Sequence, residues 1–424
     1  MGSLKMKEET QQVFTGIDIG ATKVCVVIAG YTENQPLEIL GVGISPSQGM
    51  KKGVVINISD TVTAISEAVT TAEQQSGVEV DRAWVGISGE HIRGLNNTGV
   101  ITVSKASSRF PSDQEITDLD RQRVLDHAQS ITLPLERRIL HVLPQEFKVD
   151  DYAGIKDPEG MMGHRLEARV HLITCALNAE KNMRNCCEKA GIEVAEFVVQ
   201  PLASSYAVFI PNEKKLGVAL LDIGGGTTDV IVYFSDGVHH TGVIPYGGES
   251  ITSDIAHGVQ TTLEEAERLK CAYGIAKEAL ADKEVSIEVP GTAGREGRSI
   301  TQKELASYIE PRMKEILMFA FNEFRKSDHP RGLNFGIVLT GGGAKLSNIA
   351  DLAQEVFNQP IKIGIPILEG GGLDDTLKDP AYATAVGLVK YGVEHRHLRP
   401  EEPEWRFGLR RVVDQVKRFF RNWY

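Results

Sequence analysis

The sequence predicts an α/β chain built as two duplicated halves facing each other across a ligand cleft, and three stretches predict it. The first is Leu221-Asp222-Ile223-Gly224-Gly225-Gly226-Thr227-Thr228-Asp229. An apolar run over 216–221 feeds it and another over 230–234 leaves it. That pattern reads as a strand, a tight turn and a return strand. The second stretch, Gly16-Ile17-Asp18-Ile19-Gly20-Ala21-Thr22-Lys23, repeats the arrangement, with 24–29 as the return strand. Two copies of one hairpin about 200 residues apart point to a duplication with opposed loops. The third stretch, Gly341-Gly342-Gly343-Ala344-Lys345-Leu346, follows an apolar strand over 336–339 and opens a helix over 346–357.

These residue types suit a polyphosphate. Glycine has no Cβ, so the turn backbone can approach an anion and point N–H groups at it. Thr22, Thr227 and Thr228 add hydroxyls, and Lys23 adds a positive charge. Asp18 and Asp222, each near a strand end, can hold Mg²⁺ through water. An ordinary glycine-rich hairpin is the plainer reading of either copy taken alone.

At 424 residues the chain exceeds one simple core and divides into two or more domains. Its net charge of −11 argues against nucleic acid as a partner. No signal-peptide pattern opens the sequence, and no apolar run is long enough to span a membrane. Five cysteines without a Cys-x-x-Cys pair fit a reducing compartment. The absence of Gly-x-x-x-x-Gly-Lys-Ser/Thr excludes a P-loop.

Taken in order, the first hairpin is followed by a strand over 37–44. A helix capped from Asn57, Ser59 or Asp60 comes next, with Val62, Ile65, Ala68 and Val69 as its apolar stripe. A buried strand covers 83–87. Residues 89–165 change character: a strand over 99–104, then a helix starting at Ser112-Asp113 with Glu115 completing a capping box. A strand over 138–149 is broken by Pro144, and a loop spans 157–163. The first half resumes with a strand over 166–176, a helix over 179–190 and a strand over 193–199. A small-residue helix follows from Gln200 through Ala207. Beyond the central hairpin, Gly247-Gly248-Glu249 opens a helix, and Thr261 or Thr262 caps another that carries Glu267 and Lys270 on one face. Two strands within 281–299, a long helix over 302–326 and a small-residue helix over 382–387 complete the body. His395 and His397 are too few ligands for a metal.

The last twenty residues reverse the sign of the chain. Trp405, Leu409, Val412, Val416, Phe419, Phe420 and Trp423 fall on one helical face. Arg406, Arg410, Arg411, Lys417, Arg418 and Arg421 take the other, against the single acid Asp414. An aromatic, cationic amphipathic helix fits an in-plane anchor on anionic membrane lipid. A helix docked on protein is the competing reading.

The three glycine loops in this order resemble the actin-like ATPase superfamily, and the whole chain from about residue 14 resembles the FtsA family of bacterial cell-division proteins. Gly16–Lys23, Asp222–Asp229, Gly247–Thr252, Glu264–Gly274, Gly341–Leu346 and the basic C-terminus carry the resemblance. It implies an actin-like fold whose main subdomains are 14–88 with 166–199 (1A) and 200–249 with 331–388 (2A). It further implies an inserted subdomain 1C over 89–165, subdomain 2B over 250–330, a linker over 389–404 and a membrane helix over 405–424. Implied cofactors are ATP and Mg²⁺. Gly20, Ala21, Thr22, Lys23, Gly224, Gly225, Gly226, Thr227 and Thr228 would sit at the phosphates. Gly248, Glu249, Glu267, Lys270, Gly341, Gly342, Gly343, Ala344 and Lys345 would sit towards the nucleoside, and Gln200 near the attacking water. The implied partners are the FtsZ tail through 2B, further copies of the chain in a filament, later division proteins through 1C, and the membrane. The implied place is the cytoplasmic face of the membrane at the division site. Any ATPase activity would be slow and serve as an assembly switch. A small-molecule kinase on the same fold is the alternative; it would need a carboxylate base in the cleft.

Overall fold

The structure is a computed structural model that describes residues 11–103, 114–291, 296–327, 333–369 and 373–396. Two five-stranded sheets organise it. The first runs Glu193–Val199, Arg82–Ile87, Gln12–Ile19, Lys23–Tyr31, Glu38–Pro46. The second runs Ile361–Ile363, Ile337–Thr340, Val218–Ile223, Thr228–Phe234, Gly237–Ile244. Each has the same plan: a hairpin and a third strand pair antiparallel, and two further strands add in parallel on the other side. The duplication inferred from two short motifs therefore extends to whole sheets. The central strands are buried along nearly their whole length because helices or neighbouring parts of the chain cover both faces.

Two short helices connect the halves and exchange places. Gln200–Val208 leaves the first sheet and packs under the second hairpin; Ala383–Glu394 leaves the second sheet and packs under the first. They cross closely. A Cβ on Gly387 would stand 1.9 Å from the Ala203 carbonyl oxygen, and one on Gly16 would stand 2.8 Å from that of Ala385. Small residues are required at these points, since neither backbone can retreat without unpacking a core strand.

Residues between the halves of the first sheet form a separate unit with its own small core. Its sheet runs Arg93–Thr102, Arg165–Ala176, Arg137–Val149, Tyr152–Ile155, with helix Asp118–Gln129 against it. The strand from Arg165 does not stop at the end of this unit: Ile173 and Cys175 enter the first half's core. Two expectations are corrected here. The helix does not start at Ser112-Asp113, which lie outside the described residues. It starts at Asp118, capped by Thr117, with Asp120 closing the capping box. Two overlapping cap patterns competed, and Glu115 instead bridges to Met162. Pro144 does not break its strand. It is exposed, opposite Val170, at a register shift that absorbs the missing N–H.

The second half adds helices Gly248–Val259, Leu263–Tyr273 and Gln302–Arg325 around the small sheet Ser286–Val289 with Arg298–Thr301. Thr262, not Thr261, caps the middle helix. The glycine loop after Ile337–Thr340 makes a 3₁₀ turn before helix Ile349–Phe357, so that helix begins three residues later than its apolar pattern predicts. The end of the linker and the amphipathic stretch 405–424 lie outside the described residues. Among the described residues no helix is long and apolar enough to cross a membrane.

Replacing Gly387 by Ala should destabilise the chain by about 1–3 kcal/mol through overpacking at the crossing. The urea unfolding midpoint measures this, and an unchanged midpoint would show that the helices can separate freely.

Candidate functional site

Both hairpin turns are closed by the same bond. The Gly20 N–H donates to the Lys23 carbonyl at 2.9 Å, and the Gly224 N–H to the Thr227 carbonyl at 2.9 Å. The tips meet across the cleft. A Cβ on Gly225 would lie 2.5 Å from Thr22 Cγ2, and one on Gly226 3.1 Å from Ala21 Cβ. The second turn is also tied to the helix behind it, since the N–H groups of Gly248 and Glu249 donate to the Gly224 and Gly225 carbonyls. Gly341 has φ +81°, and a Cβ there would be 2.4 Å from Asp222 Oδ1. Only glycine serves at that position.

Between the turns lies a cavity of about 610 Å³, within the range of small-ligand sites. Its walls bring together Asp18, Gly20, Ala21, Thr22, Lys23, Gln200, Asp222, Gly224, Gly225, Gly226, Thr227, Gly248, Glu249, Glu267, Lys270, Gly341, Gly342, Gly343 and Lys345. Thr228 and Ala344 are not among them. Thr228 is fully buried and its hydroxyl donates to the Tyr246 carbonyl, so it fastens the return strand rather than facing the cleft. Ala344 is buried under the glycine loop. Strand alternation turns Thr228 away, a consequence of register that the motif alone did not reveal.

The floor of the cleft is acidic. Asp18 accepts from Gln200 Nε2 at 2.9 Å. Asp222 accepts from Ser204 Oγ at 2.6 Å and Thr384 Oγ1 at 3.2 Å, one hydroxyl from each crossing helix. Burial pushes the Asp18 carboxyl up to about 7, with Lys23 opposing and Asp222 adding to the rise. Burial raises Asp222 as well, against the Ser204 and Thr384 hydroxyls. Asp229 completes the group. It is buried, accepts from Ser88 Oγ at 2.5 Å, and burial pushes it up to about 7. Ser88 ends a strand of the first half and Asp229 starts the return strand of the second, so this bond spans the halves directly. Sequence reasoning missed Ser88, Ser204 and Thr384, because their partners are 141, 18 and 162 positions away.

Among the described residues no three His, Cys, Asp or Glu side chains form a metal cage. Asp18 and Asp222 nevertheless fit a cation whose other ligands are water and phosphate oxygens. Both are buried acids whose ionisation a nearby positive charge would favour. Lys23 is the cationic neighbour at hand. Its Nζ donates to the Ala381 carbonyl at 2.6 Å and lies 4.0 Å from the Tyr382 ring centre.

Tyr273, Met313, Leu346 and Ile251 add apolar surface to the walls of the cleft. Lys270 Nζ donates to Glu267 at 2.7 Å, to Thr252 Oγ1 at 2.8 Å and to the Gly248 carbonyl at 3.1 Å. Glu267 and Lys270 thus form an ion pair, and both line the cleft. Burial works against ionised Glu267, but the Lys270 charge and the hydrogen bonds outweigh it and hold the carboxyl below its usual range.

A family model described as "Cell division protein FtsA" matches residues 219–387, and one described as "SHS2 domain inserted in FTSA" matches 89–174. The cell division protein FtsA of Pseudomonas aeruginosa is 40% identical over 386 residues, covering 91% of this chain and 90% of that protein. That of Escherichia coli K12 is 38% identical over 403 residues, covering 93% and 94%. Among solved structures, a PilM–PilN type IV pilus biogenesis complex aligns with a TM-score of 0.62 at 18% identity, over 90% of this chain and 98% of that one. MreB5 of Spiroplasma citri bound to ADP aligns with a TM-score of 0.52 at 13% identity, over 90% and 98%. The twin sheets, crossing helices and glycine-lined cleft are those of the actin-like ATPase fold. Within that class, the chain belongs to the FtsA family of cell-division proteins.

The raised acids set a pH dependence. Asp18 has an ordinary value of 3.8 when unfolded and about 7 when folded. Its contribution is present in full below pH 4 and is lost as pH rises towards 7. Asp18→Asn removes that loss. The urea midpoint of the parent chain should therefore fall more steeply between pH 4.5 and 7.5 than that of Asp18→Asn, and parallel curves would contradict the burial of this carboxylate.

Proposed function

We propose that this chain binds ATP with Mg²⁺ between its halves, polymerises, and tethers the FtsZ ring to the cytoplasmic membrane at the division site. The carrying observation is the pair of glycine turns that meet tip to tip above Asp18 and Asp222. In this reading the turn amides of Gly20–Thr22 and Gly224–Thr227 and the Lys23 ammonium hold the phosphates. Asp18 and Asp222 hold the cation through water, and the cation neutralises phosphate charge. Gln200, fixed on Asp18, is placed to orient a water. Gly248, Glu249, Glu267, Lys270 and the Gly341–Lys345 loop flank the nucleoside. The slow hydrolysis that the family resemblance implies makes the nucleotide an assembly switch that sets the angle between the halves.

The remaining assignments rest on family membership and on sequence. Subdomain 2B, 250–330, receives the FtsZ tail. The inserted unit, which takes in strand Arg165–Ala176 rather than ending at 165 as the sequence predicts, receives later division proteins. The amphipathic stretch 405–424 lies in the membrane plane, with Trp405, Phe419, Phe420 and Trp423 buried and its cations against anionic lipid.

Gly225→Asp puts a negatively charged side chain against Thr22 where the two turns meet. Calorimetric titration with Mg-ATP should show affinity at least about 100-fold weaker; unchanged affinity in the folded variant overturns the site. Deleting 405–424 should release the chain from anionic liposomes in a flotation assay, whereas persistent flotation would place the anchor elsewhere.

A further inference from the structure

The inserted unit touches more than the half it grows from. Its sheet lies against Gly237–Ile244, the edge strand of the second half's sheet. Two glycines allow near-contact of backbones there. A Cβ on Gly94 would stand 2.4 Å from Thr241 Oγ1 and 2.7 Å from His171 Nε2, and one on Gly237 would stand 2.9 Å from Gln145 Cα.

A polar network fills this contact, with Gln145 Oε1 left without a partner. Gln145, His171 and Thr241 are all buried. Asn96 Nδ2 donates to the His239 carbonyl at 3.2 Å, so its Oδ1 is the acceptor atom of the network. Gln145 Nε2 donates to that Oδ1 at 3.0 Å and to the Val238 carbonyl at 2.8 Å. His171 Nδ1 lies 2.7 Å from the same Oδ1 and must therefore donate. Burial, with His240 and His239 nearby, depresses His171 to about 3, so the ring is neutral. Its Nε2 then accepts from Thr241 Oγ1 at 2.9 Å. At the rim, Lys156 Nζ donates to the Gln145 and Ser235 carbonyls. Each buried donor of this network meets an acceptor, and breaking the contact would leave several polar groups dry.

The unit is fixed equally well to the first half. Ile173 and Cys175 are in that half's core, and the Val199 N–H donates to His141 Nε2 at 3.2 Å. It therefore joins both halves, and His141 also makes an edge contact with Tyr391 of the second crossing helix. A body joined to both sides of a cleft resists its opening.

We propose that the inserted unit is a latch on the cleft: its grip on the second half's edge strand holds the halves closed, and release of the grip speeds nucleotide exchange. The consequence for regulation is direct. A protein that binds the inserted unit and loosens this grip shortens the residence time of the nucleotide without touching the site. The exchange prediction rests on the nucleotide reading of the cleft; the closure itself does not.

The test uses the full chain with Gly94→Val as a wedge and Gln145→Ala as a milder variant that deletes two bonds. Hydrogen exchange is measured first, without nucleotide. The latch predicts faster exchange at the amides of Gly20–Lys23 and Gly224–Thr227, which neither substitution contacts, in addition to Gly237–Ile244. Faster exchange confined to Gly237–Ile244 in both variants overturns it. If Gly94→Val fails to fold, Gln145→Ala alone decides. Stopped-flow release of a fluorescent ATP analogue is measured second, with at least a tenfold faster rate expected at unchanged stoichiometry. An unchanged rate overturns the latch. If the parent chain binds no analogue, the nucleotide reading fails and the exchange data still judge the closure.

Discussion

The helices Gln200–Val208 and Ala383–Glu394 cross in close backbone contact, and the rest of the site is built on that crossing. With no side chain at Gly387, the second helix rests on the Ala203 carbonyl. That contact puts Ser204 and Thr384 side by side, 2.9 Å apart, and both hydroxyls reach Asp222. Gln200, at the start of the first helix, reaches Asp18. One helix crossing therefore positions the carboxylates of both halves. A larger residue at the crossing would move the acids and the turns together.

This arrangement explains how buried acids persist beside a lined cavity. A carboxylate removed from water needs hydrogen-bond donors, a cation or a proton. Asp222 has two hydroxyls, Asp229 has Ser88 and Thr227, and Asp18 has the Gln200 amide and the charge of Lys23. These partners offset only part of the burial cost, since Asp18 and Asp229 still stand near 7. The site thus favours the approach of positive charge.

Contacts between the halves are distributed rather than confined to the hinge. The helix crossing lies beneath, the hairpin tips and the Ser88–Asp229 bond join the halves at the glycine turns, and the inserted unit grips an edge strand to one side. That strand would otherwise present unpaired backbone groups, and the inserted sheet covers it. The insertion thus protects a sheet edge of the second half.

What the residues declared on their own were the local devices. Runs of apolar residues gave the strands, glycine triplets gave the turns, and the repeated Asp-Ile-Gly gave the duplication, because each depends on backbone sterics within a few positions. The acids at the strand ends were legible for the same reason. Register and long-range pairing were not. That Thr228 faces Tyr246 rather than the cleft, that Ser88 meets Asp229, and that Asn96, Gln145 and His171 converge on Thr241 follow from how strands far apart in the chain align. Hydroxyls and amides carry no periodic signal of their own partners, so only the packed tertiary structure could decide which of them hold the halves together.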